Sequence, residues 1–334
     1  MKSILVTGGA GFIGSHVAQH LISMGHYVVV LDDLSGGFAE NVPDGAIFEE
    51  GSILDTELIE RIFSENSISV VFHLAAYAAE GLSHFIKRFN YMNNLVGSVN
   101  LINAAVNHNV EHFVFTSSIA VYGAGQTPMT EELKPSPEDP YGIAKFSVEL
   151  ELAASHEMFG LDYTIFRPHN VYGERQNVGD RYRNVVGIFM NQILKGEPMT
   201  IFGDGEQERA FSYIDDVAPV IAGCIDVPDA KNEVFNVGAD TPSTVNYLSR
   251  VVASALGVEP QVEYLPARNE VTVAFSNHSK IQRVFGLGEA LSLEAGIGKM
   301  AGWVKTHGSR TSSIFDPIEI RKNLPPSWAA VSKG

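Results

Sequence analysis

The sequence predicts an α/β protein: a doubly wound parallel sheet accompanied by a smaller mixed α/β lobe. Three observations predict it. Short β-branched runs alternate with longer amphipathic stretches through the first half of the chain. A cluster of glycines follows the first of these runs directly. After about Arg167 the rhythm changes, and Gly, Pro and Asn become frequent.

The strands are expected at Ser3 to Thr7, Tyr27 to Asp32, Ala46 to Glu49, Val70 to His73, His112 to Thr116 and Tyr163 to Phe166. Their near-continuous apolar character requires cover on both faces of the sheet, which helices supply. Asn93 to Asn107 is one such helix, with Leu95, Val99, Ile102 and Val106 spaced along one buried face. In the second half a helical Asn184 to Lys195 precedes the loop Phe202-Gly203-Asp204-Gly205. The tail from Arg310 reads as a loosely structured strap of no legible role.

Composition narrows the function. With 334 residues, 45% hydrophobic and 19% charged, the chain suits a soluble enzyme of two lobes. A net charge of -16, from 23 basic and 39 acidic side chains, excludes a nucleic-acid surface, which needs a basic stripe. Cys224 is the single cysteine, so neither an intrachain disulfide nor a multi-cysteine metal site is expected, and a cytoplasmic address fits. The apolar start is interrupted at Gly8, unlike a signal peptide, and no apolar run reaches membrane-spanning length.

The run Ser3 to Thr7 leads into Gly8-Gly9-Ala10-Gly11-Phe12-Ile13-Gly14, in which Gly8, Gly11 and Gly14 form a G-x-x-G-x-x-G loop opening a helix. Such glycines let the backbone approach a pyrophosphate, whose charge then sits on the helix N-terminus. The next strand ends at Asp32, where a carboxylate receives the adenosine ribose hydroxyls and disfavours the extra phosphate of NADP. NAD, tightly held, is therefore the expected cofactor. Asp33 joins its neighbours by adjacency, although a cap or solvent-facing place suits it better. Leu74, Ala75 and Ala76 after His73 are small enough for the chain to pass close to the dinucleotide. Residues 1–168, with roughly 213–242, form the expected Rossmann-type domain; 169–212 and 243–334 form the second lobe and tail.

Tyr141 and Lys145 stand four residues apart on a helical stretch, so both side chains leave one face. A neighbouring ammonium favours the phenolate, which makes the tyrosine a general base. Ser117 and Ser118 follow the strand ending at Thr116, at the carboxyl edge of the sheet where such folds keep their ligands. Ser118 is the expected catalytic hydroxyl.

Glycine loop, Asp32, His73-Leu74-Ala75-Ala76, Ser117-Ser118 and Tyr141-x-x-x-Lys145, in this order, resemble the extended short-chain dehydrogenase/reductase family over nearly the whole chain. Arg167-Pro168-His169-Asn170-Val171-Tyr172-Gly173 and Phe202-Gly203-Asp204-Gly205-Glu206-Gln207-Glu208-Arg209 resemble its nucleotide-sugar branch. The resemblance implies that Phe12, Ile13, Ser52, Ile53, Asn94, Ser117 and Pro168 lie along the cofactor. It implies that Lys145 holds the nicotinamide ribose. Asn170, Asn184, Val185, Thr200, Phe202, Arg209, Arg268 and Glu270 would hold the nucleotide sugar, the two arginines clamping its diphosphate.

The residues after Ser118 separate the branches. Ile119 and Ala120 cannot transfer protons, which disfavours the dehydratase and decarboxylase routes. Epimerisation remains: the sugar C4 is oxidised transiently to a ketone and reduced on its other face, with UDP-glucose and UDP-galactose the favoured substrates. A uronic-acid 4-epimerase, a 3,5-epimerase or another nucleotide-sugar dehydrogenase or reductase shares these residues, and a non-catalytic NAD-binding regulator is the reading from another class. Ser52 and His169 depart from the family pattern. His169 is either a hydrogen-bonded filler or a contact to the reacting ring, with filler favoured. A homodimer formed through the Asn93 to Asn107 and Tyr141 to Phe159 helices is expected from the resemblance.

Overall fold

The computed structural model describes residues 1–125, 127–267, 273–311, 315, 318–325 and 328. Its first half runs β1 (Ser3–Thr7), α1 (Phe12–Ser23), β2 (Tyr27–Asp32), β3 (Ile47–Glu50), α2 (Thr56–Asn66), β4 (Val70–His73), the short α3 (Glu80–Ser83) and α4 (Lys87–Tyr91), a π-helical segment Met92–Val96, α5 (Gly97–Asn107), β5 (His112–Thr116), α6 (Pro140–Phe159) and β6 (Tyr163–Pro168). The second half holds β7 (Val171–Tyr172), α7 (Val185–Leu194), β8 (Met199–Phe202), β9 (Glu208–Ala210), β10 (Ser212–Tyr213), α8 (Ala218–Gly223), β11 (Glu233–Val237), β12 (Pro242–Thr244), α9 (Val245–Leu256), β13 (Val262–Leu265), β14 (Val273–Ala274), α10 (Ser279–Phe285) and α11 (Leu293–His307).

Seven parallel strands form the main sheet in the order β11-β6-β5-β4-β1-β2-β3. The alternation of side chains along each strand divides the core in two. Ile4, Val6, Val28, Val30 and Phe72 face one side with α1 and α8, while Leu5, Val29, Leu31 and Val71 face the other with α2, α5 and α6. This is a doubly wound sheet covered on both faces, as the apolar runs require. The strand order reverses beside β1, so the carboxyl ends of β1 and β4 open onto a crevice. Three small sheets, β10-β7, β12-β9-β14 and β13-β8, build the mixed part of the second half.

One expectation about a helix face is corrected. Of the expected face Ile102 is buried and Leu95 and Val106 pack partly buried against the core, but Val99 does not, and Asn94, Ser98, Leu101 and Ala105 also face inward. The π segment inserts an extra residue per turn and rotates the face. The inward polar groups are satisfied: Ser98 Oγ meets His73 Nε2 at 2.7 Å, and Thr7 Oγ1 meets His73 Nδ1 at 2.7 Å. Burial holds that imidazole well below its ordinary pKa, so it stays a neutral strut between β1, β4 and α5.

Candidate active site

A cavity of about 1270 Å³ opens at the carboxyl ends of the parallel strands. At one side lies the glycine loop. Gly8 takes a positive φ of 72°, and a Cβ there would come within 2.7 Å of the Ala75 backbone. A Cβ at Gly14 would lie 2.1 Å from the Gly8 carbonyl oxygen, so only glycine lets α1 start against the loop. No side chain caps the first turn of α1, whose amides are left for an anion.

Asp32 ends β2 at the rim of the same cavity. Its carboxylate accepts from the Ala10 amide at 3.0 Å and the Leu34 amide at 2.8 Å. A carboxylate has about four acceptor sites, which leaves capacity for a ribose hydroxyl. Burial pushes this carboxyl's pKa up, and the amides of Leu34 and Ala10 oppose that shift. Phe12, Ile13, Asp33, Ile53, Leu74, Ala75, Ala76, Ser117 and Pro168 also line the cavity. Two buried oxygens among the lining residues, Thr116 Oγ1 and Gln176 Oε1, have no hydrogen-bond partner. Glycine cradle, uncapped helix start, terminal carboxylate and unpaired oxygens together fit a dinucleotide.

At the centre stand Ser118, Tyr141 and Lys145. Asp139 caps α6 by accepting from the Tyr141 and Gly142 amides at 2.9 and 3.0 Å, which fixes where the helix begins and aims its first turns. Lys145 Nζ lies 5.9 Å from the centre of the Tyr141 ring and donates to the Thr116 carbonyl oxygen at 2.8 Å. Burial brings this amine down to about 7, with the Glu149 carboxylate opposing the fall. The phenol is not depressed as the Tyr-Lys spacing suggested: burial pushes Tyr141 up, against a hydrogen bond with the Ser118 hydroxyl. A buried lysine engaged with a carbonyl is too little charge to offset the desolvation of a phenolate.

Several expected contacts stand elsewhere. Asn94 accepts from the Tyr77 amide at 2.8 Å and donates to the Tyr77 carbonyl and to Asn90, so it braces the segment after β4 from behind the cavity wall. Ser52 closes a local turn by accepting from the Leu54 amide, while its neighbours Gly51 and Ile53 reach the cavity. Thr200 pairs with Gln192, away from the lining residues, and Val185 is likewise not among them.

Asn170, Asn184, Phe202 and Arg209 do line the cavity. Asn184 caps α7 through Val186, and its amide is also bonded to the Val171 carbonyl. Arg268 and Glu270 lie outside the described residues. His169 lines the cavity, but its ring is occupied on both sides: Nδ1 donates to the Ala210 carbonyl at 3.0 Å, and Nε2 faces His278 Nε2 at 3.2 Å. That is a hydrogen-bonded filler, brought down to about 3 by burial first and then by His278.

Two groups of lining residues carried no legible signal. Arg183, whose guanidinium lies 5.0 Å from the Tyr77 ring and binds Asp180 at 2.6 Å, adds a cation to the pocket. It stands beside the expected Asn184 but in no motif. Asn323, Leu324, Pro325 and Trp328 come from the tail.

The model of the NAD dependent epimerase/dehydratase family matches residues 4–238. A UDP-glucose 4-epimerase of Mycolicibacterium smegmatis is 35% identical over 88% of this chain and 96% of its own. Among solved structures, the UDP-glucose 4-epimerase of Thermotoga maritima with UDP-glucose superimposes with a TM-score of 0.87 at 38% identity, covering 91% of this chain and 99% of that one. The Thermus thermophilus UDP-glucose 4-epimerase in complex with NAD gives 0.84 at 32% identity, again covering 91% and 99%.

Proposed function

Because this chain belongs to the NAD-dependent epimerase/dehydratase family, we propose that it is an NAD-dependent 4-epimerase of a UDP-linked hexose, interconverting UDP-glucose and UDP-galactose. One observation carries the reading. Ser118, Tyr141 and Lys145 share a single cavity with the glycine loop, and the residues following Ser118 on its wall, Ile119 and Ala120, have no proton to give.

Tyr141, as the phenolate, takes the proton of the C4 hydroxyl, with Ser118 bridging the two oxygens. NAD, when bound, supplies a hydride acceptor for C4, a positive charge beside the phenol, and the hydride's return. Lys145, held on the Thr116 carbonyl, keeps a hydrogen-bond donor at the ribose side of the pocket. The cavity is large enough for the 4-ketose to present its other face before Tyr141 returns the proton. Asn170, Phe202 and Arg209 line the side where the nucleotide diphosphate would lie.

In this reading residues 1–168 with roughly 213–242 carry the cofactor, and 169–212 with 243–334 carry the sugar nucleotide. Two copies pair through the faces of the Met92–Val96 segment and α6 that leave Met92, Val96, Ile143, Leu150, Met158 and Phe159 exposed, Met158 at 73%. No helix among the described residues is long and apolar enough to cross a membrane. The single thiol, Cys224, is buried, which suits a cytoplasmic enzyme of carbohydrate metabolism.

The test is incubation of purified protein with UDP-glucose, UDP-galactose, their uronic acids and GDP-mannose, without added NAD, followed by chromatography of the sugar nucleotides. An equilibrating pair of C4 epimers is expected from the UDP-hexoses. No conversion of any of them, even with NAD added, overturns the proposal.

A further inference from the structure

The tail returns across the molecule to the site. Beyond α11, Phe315 packs against Phe89 at 4.7 Å and Tyr77 at 5.1 Å between ring centres. The Glu319 and Ile320 amides donate to the Phe85 carbonyl at 2.9 and 3.1 Å. The Glu319 carboxylate accepts from the Arg88 and Phe89 amides at 2.8 and 2.9 Å, closing the first turn of α4. Trp328, 7% exposed, meets Phe85 at 6.0 Å and Tyr182 at 5.5 Å, both edge to face. With Ala79, Leu82 and Ile86 these side chains form an apolar cluster separate from the two faces of the main sheet. Such a segment is anchored by hydrogen bonds and packing and is no loose end.

The strap is also part of the cavity wall. Asn323, Leu324, Pro325 and Trp328 line the cavity that holds Tyr141 and Lys145. A Cβ at Gly81 would lie 3.6 Å from the indole, and Gly81 is adjacent to Glu80 as Tyr182 is to Arg183. Ser83, two residues beyond Gly81, donates its hydroxyl to Asp139 at 3.4 Å, and Asp139 caps the turn that carries Tyr141, so the indole stands on the side of the cavity where the sugar reacts. Phe202, Arg209, Leu265 and Pro266 line the cavity from the small sheets of the second half, the part that holds the nucleotide in the epimerase reading. The strap lies beyond the residues that the family model matches, and the T. maritima enzyme is spanned almost completely by about nine-tenths of this chain.

We infer that the C-terminal segment, through Leu324, Pro325 and Trp328, walls the sugar end of the pocket and selects against hexoses bearing a substituent larger than a hydroxyl. Trp328 is a specificity-determining residue that takes no part in the proton transfers. The inference rests on the epimerase reading, and its test separates the two.

Wild type and Trp328→Ala are compared on UDP-glucose and UDP-N-acetylglucosamine, with retained NAD and melting temperature measured on the same preparations. Removing the indole is expected to raise the ratio of kcat/KM for the acetamido sugar over glucose about tenfold or more, the scale on which a pocket wall discriminates by size, while NAD content stays unchanged. An unchanged ratio in an active, folded variant overturns the inference. Leu324→Ala, a smaller loss in the same wall, is measured alongside and is expected to shift the ratio in the same direction should Trp328→Ala fold poorly.

Binding gives an independent readout. Trp303→Phe leaves Trp328 as the sole indole, and its emission is expected to shift with UDP-glucose but not with UDP. Equal responses to UDP and UDP-glucose, or none to either, overturn the placement of Trp328 at the sugar end. If the wild type converts no sugar nucleotide yet the emission responds to UDP-glucose alone, the epimerase reading fails and the strap's placement stands.

Discussion

Arg167 and Glu149 form a two-pronged ion pair inside the protein, Nε to Oε1 at 2.9 Å and Nη2 to Oε2 at 2.5 Å, with both side chains 5% exposed. Glu149 also accepts from the Ser117 hydroxyl at 2.5 Å, and Arg167 donates to the Tyr122 hydroxyl at 2.8 Å. Tyr122 in turn donates to Asn236 on β11. The pair therefore ties α6, which carries Tyr141 and Lys145, to the ends of β5, β6 and β11. It holds the catalytic helix at a fixed height over the sheet.

Breaking that pair from one side leaves a buried, uncompensated carboxylate. Arg167→Met is expected to lower unfolding stability by about 3–5 kcal/mol, measured by urea denaturation. The double variant Arg167→Met/Glu149→Leu is expected to recover part of the loss, because no lone charge remains inside. A double variant as unstable as the single one would show that shape, not charge, sets the cost.

Tyr141→Phe removes the proton acceptor without emptying the space. Epimerisation is expected to fall by about 10²–10⁴-fold, the usual worth of a positioned acid-base group. Cofactor content and melting temperature should match wild type. Turnover within a factor of a few of wild type would remove Tyr141 from the proposed role.

Gly14→Ala forces a methyl group to within 2.1 Å of the Gly8 carbonyl oxygen, a backbone atom that can move only with the whole loop. The purified variant is expected to contain no NAD when assayed by extraction and absorbance. Full retention of cofactor would mean that the loop does not hold the pyrophosphate.

His278 links His169 to Asp240, whose Oδ1 lies 2.7 Å from His278 Nδ1. Ala210 O and the Asp240 carboxylate only accept, so each imidazole carries its proton at Nδ1, and His278 Nε2 is left to accept from the Ser276 hydroxyl at 3.1 Å. Asp240 is held below the ordinary carboxylate range, first by its hydrogen bond with His278. A carboxylate with a depressed folded-state pKa stabilises the fold above its unfolded value, near pH 4, and that contribution is lost as pH falls through the folded value. Asp240→Asn is therefore expected to melt lower than wild type at pH 7, by no more than about 1 kcal/mol for so exposed a partner. The gap should close on acidification, and a gap undiminished at pH 3 would exclude the pairing as its source.

The sequence by itself determined the six strands of the first half, the glycine loop, Asp32 at the end of β2 and the Tyr141-Lys145 spacing. Each of these is written in local signals: a short apolar, β-branched run, the i, i+4 geometry of a helix, or a glycine where a Cβ has no room. Tertiary structure alone decided the inward face of α5, which the π segment turns toward polar partners, and the withdrawal of Asn94, Ser52 and Thr200 from the cavity. It also decided the pairing of His169 with His278 across 109 residues and the return of Trp328 to Gly81. Such contacts join segments far apart in the chain and leave no periodicity behind. They are set by which surfaces meet once the sheet has formed.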